Sequence, residues 1–444
     1  MDTKPFLYRR AFLRTAAAAA MVGVFPPSLR VAAAAPAAGM HRVQPEFFGL
    51  HMGWPVHTPY FEYYPTVPVG TWRANLPETH WFSLEPRKGE WKFDKLDIAM
   101  RLMEWRGVDV LYTLGETPTW ASSNPTRKGS YVYGQSAAPS RLADWENYVR
   151  TVAQRYRGRI HHYELWNEPS VREVDGDGAN FTAAQLVEMG QAAYRIIKEI
   201  DPQARLATPA MVGGEKGVDR LEAYLAAGGD RCADIVAFHY YGLPEQIPQY
   251  HAALLKAMAR HGLGHLPVWN TEFGYLIEDP TSPNTHPLIG GSFSRVLPAQ
   301  EAAAWLARSL VIGASLGIER FFWHMWDGRN MALVTYQGRR INAAGIAYGT
   351  VAGWLTGRWI GPMQQDGNVV FCPIAENGTT IGRVVWTQNY KSMPWAIPKS
   401  WGATAMELLE GPQQKIPSGG HIELSASPVL IRSSNWPLKR EDLT

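Results

Sequence analysis

Two glutamates close two apolar runs of similar shape. The first run is YELWNEPS, residues 163–170, in which Asn167 and Glu168 follow Trp166 and Pro169 ends the pattern. Proline has no N–H to give a sheet ladder, so pairing should stop there and leave Asn167 and Glu168 at a strand's carboxyl end. The second run is VWNTEFGY, residues 268–275, with Glu272 placed 104 residues after Glu168. Two carboxyl groups at the ends of two strands are the minimum for cutting a glycosidic bond. One would protonate the leaving oxygen and the other would attack the sugar carbon. That division requires their pKa values to diverge, so that one is protonated while the other is charged.

Such a pair needs a scaffold that brings distant strand ends together. From Glu46 onward short apolar runs alternate with helical patterns. Strands are expected at 46–52, 69–75, 108–114, 160–166, 204–208, 234–240, 266–272 and 319–326. Between them lie helical faces, such as Trp145, Tyr148, Val149, Val152 and Tyr156, and a capping box formed by Thr182 and Gln185. Eight strand–helix alternations predict a (β/α)8 TIM barrel over residues 39–357, with its chemistry at the carboxyl ends of the strands. The last helical pattern, 343–357, stops on Gly357. Short strand-like runs split by Gly, Asn and Pro then predict a small antiparallel β-sandwich domain at 358–436, followed by a tail at 437–444. Trp386 and Trp395 are expected on its packed face. Two long loops, 115–140 and 276–297, leave the carboxyl face and are expected to wall a substrate cleft.

Bulk composition narrows the classes. A net charge of +3 over 444 residues gives no reason to expect a nucleic-acid partner. The 18 tryptophans are in excess, and a flat indole face suits the C–H face of a sugar ring. Cys232 and Cys372 form no metal-binding spacing, and whether they pair is left open by the sequence. The 13 histidines show no HExxH pattern, so no catalytic metal and no cofactor are expected. DGDG at 175–178 lacks the remaining positions of a calcium loop and is expected to be a turn.

The amino terminus has a different texture. Residues 8–14, YRRAFLR, resemble a twin-arginine export motif, and the apolar run 15–25 that follows is too short to span a bilayer well. Small residues at 31–39 offer Ala-x-Ala cleavage. Residues 1–38 are therefore expected to be a signal peptide. The mature protein would be periplasmic or secreted, exported by the twin-arginine machinery and not stably inserted in a membrane.

Further motifs lie along the barrel: GTWR (70–73), WFSLEPRKGEWKFDKLD (81–97) and YTLGETPTWAS (112–122). Together with YELWNEPS, TEFGY and the barrel-plus-sandwich layout, they resemble the clan A retaining glycoside hydrolases. Family 39 is the nearer match, and within it bacterial glycosidases acting on Psl-type biofilm exopolysaccharide. The wording after Arg73 (ANLPETH) departs from the family's usual text. The resemblance implies that Glu168 is the general acid and base and Glu272 the nucleophile. It implies that Asn167 bonds the 2-hydroxyl of the cleaved sugar, and that Arg73 sits beside the nucleophile. Arg73 could instead pair with Glu164, a carboxylate that alternation may point into the barrel. His239 and Tyr241 would line the sugar site, with the tyrosine hydroxyl on the nucleophile. Trp326 would be the sugar platform, with Trp323 competing for that role; His51 and Trp120 complete the expected binding residues.

Three functions compete at this point. They are an exported retaining hydrolase of a polysaccharide, a non-catalytic polysaccharide-binding component of an export system, and a xylosidase-like or endo-glucanase enzyme of the same clan. Fold alone does not choose among them.

Overall fold

A computed structural model describes residues 39–57, 63–282, 295–328 and 331–437. The expected signal peptide, residues 283–294 of the second long loop and nearly all of the tail lie outside the described residues.

The apolar runs fold as parallel strands: β1 (Phe48–Leu50), β2 (Thr71–Ala74), β3 (Asp109–Leu114), β4 (His162–Leu165), β5 (Arg205–Ala207), β6 (Val236–His239), β7 (Val268–Phe273) and β8 (Arg320–Trp323). Neighbours pair in chain order, and β8 returns to β1 with Phe322 opposite Gly49. A short further strand, Met211–Val212, pairs with β6, while β5 pairs with β4. Pro209 cannot donate to a ladder, and around it the sheet is held by isolated bridges, Ala207 at the end of β5 to Ile235 and Ala210 to Asn167. Those bridges carry the sheet across the interruption, so β5 with Met211–Val212 acts as one barrel strand.

Side-chain alternation sets what faces inward. Leu111, Ala207, Ala237, Trp269 and Phe322 meet in one buried cluster inside the barrel. Their neighbours, such as Tyr112, Phe238 and Phe321, pack outward in the main core under the helices. The outer layer holds α1 (Asp94–Arg106), α2 (Leu142–Arg155), α3 (Ala183–Ile200), α4 (Gly214–Ala226), α5 (Ile247–Arg260), α6 (Ala299–Ser315) and α7 (Ala343–Leu355). The expected capping box starts α3, with the Gln185 amide donating to Thr182 Oγ1 at 3.1 Å. The alternation is imperfect at its first unit. Among the described residues, only the single turn Trp54–His57 lies between β1 and β2, where a full helix was expected. That turn packs on α1.

Beyond α7 the chain forms β9 (Trp359–Ile360), β10 (Gln364–Asp366), β11 (Val369–Glu376), β12 (Thr379–Thr387), β13 (Met393–Ala396), β14 (Ala403–Glu407), β15 (Gln414–Lys415), β16 (His421–Leu424) and β17 (Val429–Ser433). All but β13 and β16 join one antiparallel sheet, and those two pair as a ribbon. Alternation divides the faces of the large sheet. Val369, Val385 and Ile431 face the ribbon's Ile422 and Leu424, with Trp395 packed against them. Val370, Cys372, Val384, Trp386 and Leu430 join the barrel's own core. The two tryptophans expected on one face thus sit on opposite ones. The sheet also takes in a strand from before the barrel, His41–Arg42, paired with β9. Deleting 358–444 would bare the whole face around Trp386, and the truncated chain is expected to partition into the insoluble fraction. A soluble truncated barrel that lost only polysaccharide binding would make the sandwich a binding module instead.

Cys232 and Cys372 are free and buried. The 175–178 turn uses Asp175 to hold Arg220, at 2.7 Å, while Gly176 takes a left-handed φ of 79°.

Candidate active site

The inward positions of β2, β3 and β4 place Arg73, Thr113 and Glu164 at one level of the barrel. The Arg73 guanidinium is fully buried and spends its donors in several directions. Nε donates to Glu164 Oε2 at 2.9 Å, Nη1 to Glu272 Oε2 at 2.8 Å and Nη2 to Asn167 Oδ1 at 2.8 Å. Thr113 Oγ1 also donates to Glu164 Oε2, at 2.8 Å. The two partners weighed for Arg73 are therefore not alternatives. The planar fork serves both, and Glu164 supplies the buried counter-charge that makes a buried cation tolerable.

A bulge aims Glu272. Phe321 stands opposite Asn270 and Trp323 opposite Phe273, so β7 spends two residues where β8 spends one. Phe322 is the inward residue of β8, and Thr271 and Glu272 share the matching place on β7. A regular strand would turn one of them outward. Glu272 is thus inside a strand rather than beyond its end. Its Oε2 accepts from Arg73 and its Oε1 accepts from Tyr241 Oη at 2.9 Å. Burial pushes this carboxyl up, but the facing His324, His239, His51 and Arg73 outweigh it and hold Glu272 well below the usual carboxylate range. Arg73 is the permanent charge among them, since burial and Arg73 itself keep His51 largely neutral.

Glu168 is held differently. Trp166 and Glu168 both adopt left-handed backbone, with φ of 62° and 44°. These two kinks swing the chain off β4 and leave the Glu168 side chain about one third exposed. Its Oε1 lies 2.7 Å from Nδ1 of His239, whose Nε2 lies 3.1 Å from Thr271 Oγ1. No arginine or lysine bonds Glu168 among the described residues. One carboxylate is locked to a guanidinium and a phenol; the other is half open and held by an imidazole.

The remaining expected residues divide. His51 lies beneath Glu272, its Nε2 donating to the Thr271 carbonyl at 3.0 Å, which leaves Nδ1 as a buried acceptor without a partner among the described residues. Trp326 borders a cavity of about 110 Å³ with Tyr63, Tyr64 and Arg339, and its Nε1 donates to the Tyr63 carbonyl at 3.2 Å. Trp323 is misplaced as a sugar contact. Alternation turns it outward against Phe273 and Tyr275, its exposure is 0%, and its Nε1 is taken by the Met331 carbonyl. Trp120 is half-buried; it packs on Trp81, donates to the Glu85 carbonyl and lies under Lys88.

Sequence reasoning missed His324. It follows Trp323 by one residue, so the alternation that turns the indole outward turns His324 toward Glu272. Its ring lies 4.9 Å from that of His51. Among the described residues, two trios have donor atoms close enough to hold a metal ion, His51 with Glu272 and His324, and Glu168 with His239 and Glu272. Both use Glu272, whose oxygens already accept from Arg73 and Tyr241.

Residues 132–348 match the family model described as a glycosyl hydrolase catalytic core. The protein carries a glycosyl hydrolase catalytic core. Solved glycosidases share the whole layout. A family 39 glycoside hydrolase from Bacteroides cellulosilyticus WH2 superposes with a TM-score of 0.68 at 18% identity, over 88% of this chain and 81% of that one. A monomeric β-xylosidase from Caulobacter crescentus CB15 gives 0.61 at 15% identity, over 89% and 97%. The catalytic domain of family 30 xylanase C from Talaromyces cellulolyticus gives 0.56 at 13%, over 89% and 100%. At these identities the likeness is one of fold. In this chain, the turn after β4 holds Glu168 and β7 holds Glu272.

Proposed function

We propose that the protein is an exported retaining glycoside hydrolase that cleaves a polysaccharide, with Glu272 as nucleophile and Glu168 as general acid and base. The observation that carries this reading is the spacing and asymmetry of the carboxylates. Facing oxygens of Glu168 and Glu272 lie within 4.8 Å of one another. Retaining enzymes hold the pair about 5–5.5 Å apart, whereas inverting enzymes keep about 6.5–9.5 Å to admit a water. Arg73 and Tyr241 keep Glu272 ionised and oriented, which suits attack on the anomeric carbon. Glu168, open on one side, can hand a proton to the leaving oxygen and then deprotonate the water that releases the sugar. His239 fixes its orientation between those steps. Because Asn167 Oδ1 accepts from Arg73, its amide NH2 is the end left to meet the sugar 2-hydroxyl.

The substrate follows the sequence resemblance, a bacterial exopolysaccharide. A xylan-type substrate is the second reading, favoured by the structurally similar β-xylosidase and xylanase. Incubation with a panel of exopolysaccharides, xylan and aryl glycosides, with product sizes measured and the first-formed anomer read by NMR, tests both. Inversion in the first-formed product would remove the mechanism. Release of no sugar from any member would favour the binding-component reading.

The export half of the proposal rests on Arg9 and Arg10. Replacing both by lysine is expected to leave the precursor in the cytoplasm, read by fractionation and immunoblotting. Normal periplasmic accumulation of that variant would sink the twin-arginine reading.

A further inference from the structure

The loop after β3 folds over a group of side chains that the mechanism above does not use. Gln135 is its anchor: Oε1 accepts the backbone N–H groups of Tyr131 and Val132 at 2.6 and 2.8 Å, and Nε2 donates to Glu116 Oε2 at 2.7 Å. Glu116 follows β3 in left-handed backbone, φ 62°, and its carbonyl accepts the Phe82 N–H at 3.1 Å. Its second carboxylate oxygen has no partner among the described residues. The Tyr131 ring stacks on Phe82 at 5.9 Å and lies 6.3 Å from His80, and Tyr131 is 59% exposed.

His80 is the informative member. It is 6% exposed, and its Nε2 must be the protonated nitrogen, because it donates to Asn75 Oδ1 at 2.9 Å. Nδ1 is then a lone-pair acceptor, buried and without a partner among the described residues. Burial and the charge of Arg73 hold this imidazole down to about 3, so it stays an acceptor at any ordinary pH. Burial likewise raises Glu116 to about 7, despite the opposing bond from Gln135. A buried acceptor left unmatched is costly, and His80 Nδ1, together with the open oxygen of half-buried Glu116 beside an exposed aromatic ring, calls for a ligand that brings donors and a flat apolar face. His80 bonds Asn75, two residues past Arg73 on the chain leaving β2, and Glu116 lies two residues past the end of β3, so the group sits at the carboxyl end of the barrel, the end that holds the reacting centre.

We propose that Glu116, His80, Phe82 and Tyr131 form a second sugar subsite beside the reacting centre. It takes a neutral sugar unit of the polymer, whose hydroxyls donate to Glu116 and His80 and whose ring face lies on Tyr131. The proposal rests on the reading of the protein as a polysaccharide hydrolase and adds its substrate class. With two acceptors and no cation in the group, an acidic sugar is disfavoured.

The test compares kcat/KM for 4-nitrophenyl β-cellobioside over the β-glucoside, and for the β-xylobioside over the β-xyloside. Glu116→Gln keeps an oxygen for Gln135 but turns the open position into a donor. It is expected to lower the extended-to-short ratio about tenfold, the effect of one lost hydrogen bond to a charged or buried group. Tyr131→Ala, at an exposed position that folding tolerates, is expected to lower the same ratio. A ratio unchanged in both variants, or an equal fall on both members of a pair, would overturn the subsite. Calorimetric titration of cellohexaose and xylohexaose into the wild type and both variants reads binding without turnover. A wild type that binds but cleaves nothing would sink the hydrolase reading alone. Equal affinity in all three proteins, absence of binding included, would overturn this one.

Discussion

Glu272→Gln is expected to lower kcat by on the order of 10⁵-fold, because no glycosyl-enzyme intermediate can form by the normal route. Glu168→Gln should behave differently. Glu272 can still attack an aryl glycoside whose leaving group needs no proton, so the intermediate forms and stalls for want of a base. Azide needs no general base, and should rescue Glu168→Gln to give a glycosyl azide of retained configuration. With Glu272→Gly, azide enters from the vacated side and should give the inverted azide. Product stereochemistry by NMR thus assigns each carboxylate independently of any similarity to other enzymes. An inverted azide from the Glu168 variant would mean that the two roles are exchanged.

Arg73→Met carries the largest expected cost to stability. The wild-type guanidinium faces two buried carboxylates, Glu164 and Glu272, with side-chain exposures of 0% and 12%. Removing one partner of a buried pair costs about 3–5 kcal/mol, because the charge left behind is uncompensated. The sign of the pH effect follows from Glu272, whose folded pKa is depressed. Its pairing stabilises the fold above the ordinary carboxylate pKa, and that contribution is lost as pH falls through the folded value. Without the permanent cation the folded pKa rises, so the acid limb of kcat/KM should move to higher pH. Arg73→Lys keeps a charge but not the fork, and should recover part of the stability and little of the activity. Thermal melts and pH–rate profiles of the two variants check this. An acid limb that stays in place in Arg73→Met would show that the histidines, not Arg73, set the nucleophile's charge.

Much of this was legible in the chain because alternation and proline punctuation are local signals. The strand end before Glu168, the apolar run that carries Glu272 and the α3 capping box follow from spacing of a few residues, whereas Arg73 was legible only through the resemblance. What was not legible depended on geometry that spacing does not encode. The bulge in β7 is invisible in VWNTEF, yet it decides that Thr271 and Glu272 share one side. Met211–Val212 is too short, and too close to Pro209, to read as part of a barrel strand. Trp323 and Trp326 were weighed by nearness to a strand end, when the side-chain direction at 323 excluded the first and pointed to His324. That the described residues between β1 and β2 hold only a single turn had no signal, because eightfold alternation was inferred from the strands.

The order of the C-terminal sheet bears on when the protein can finish folding. Its last strand in sequence, β17, is not at an edge but lies between β12 and β14. Arg432 pairs with Gly382 on one side and with Ala405 on the other. At about 5–20 residues per second of synthesis, β12 waits several seconds for the neighbour that closes the sheet. Until β17 has emerged, β12 and β14 present open ladders to each other and to any passing strand. Loss of Val429–Ser433 would leave a slot in the middle of the sheet rather than a shortened edge.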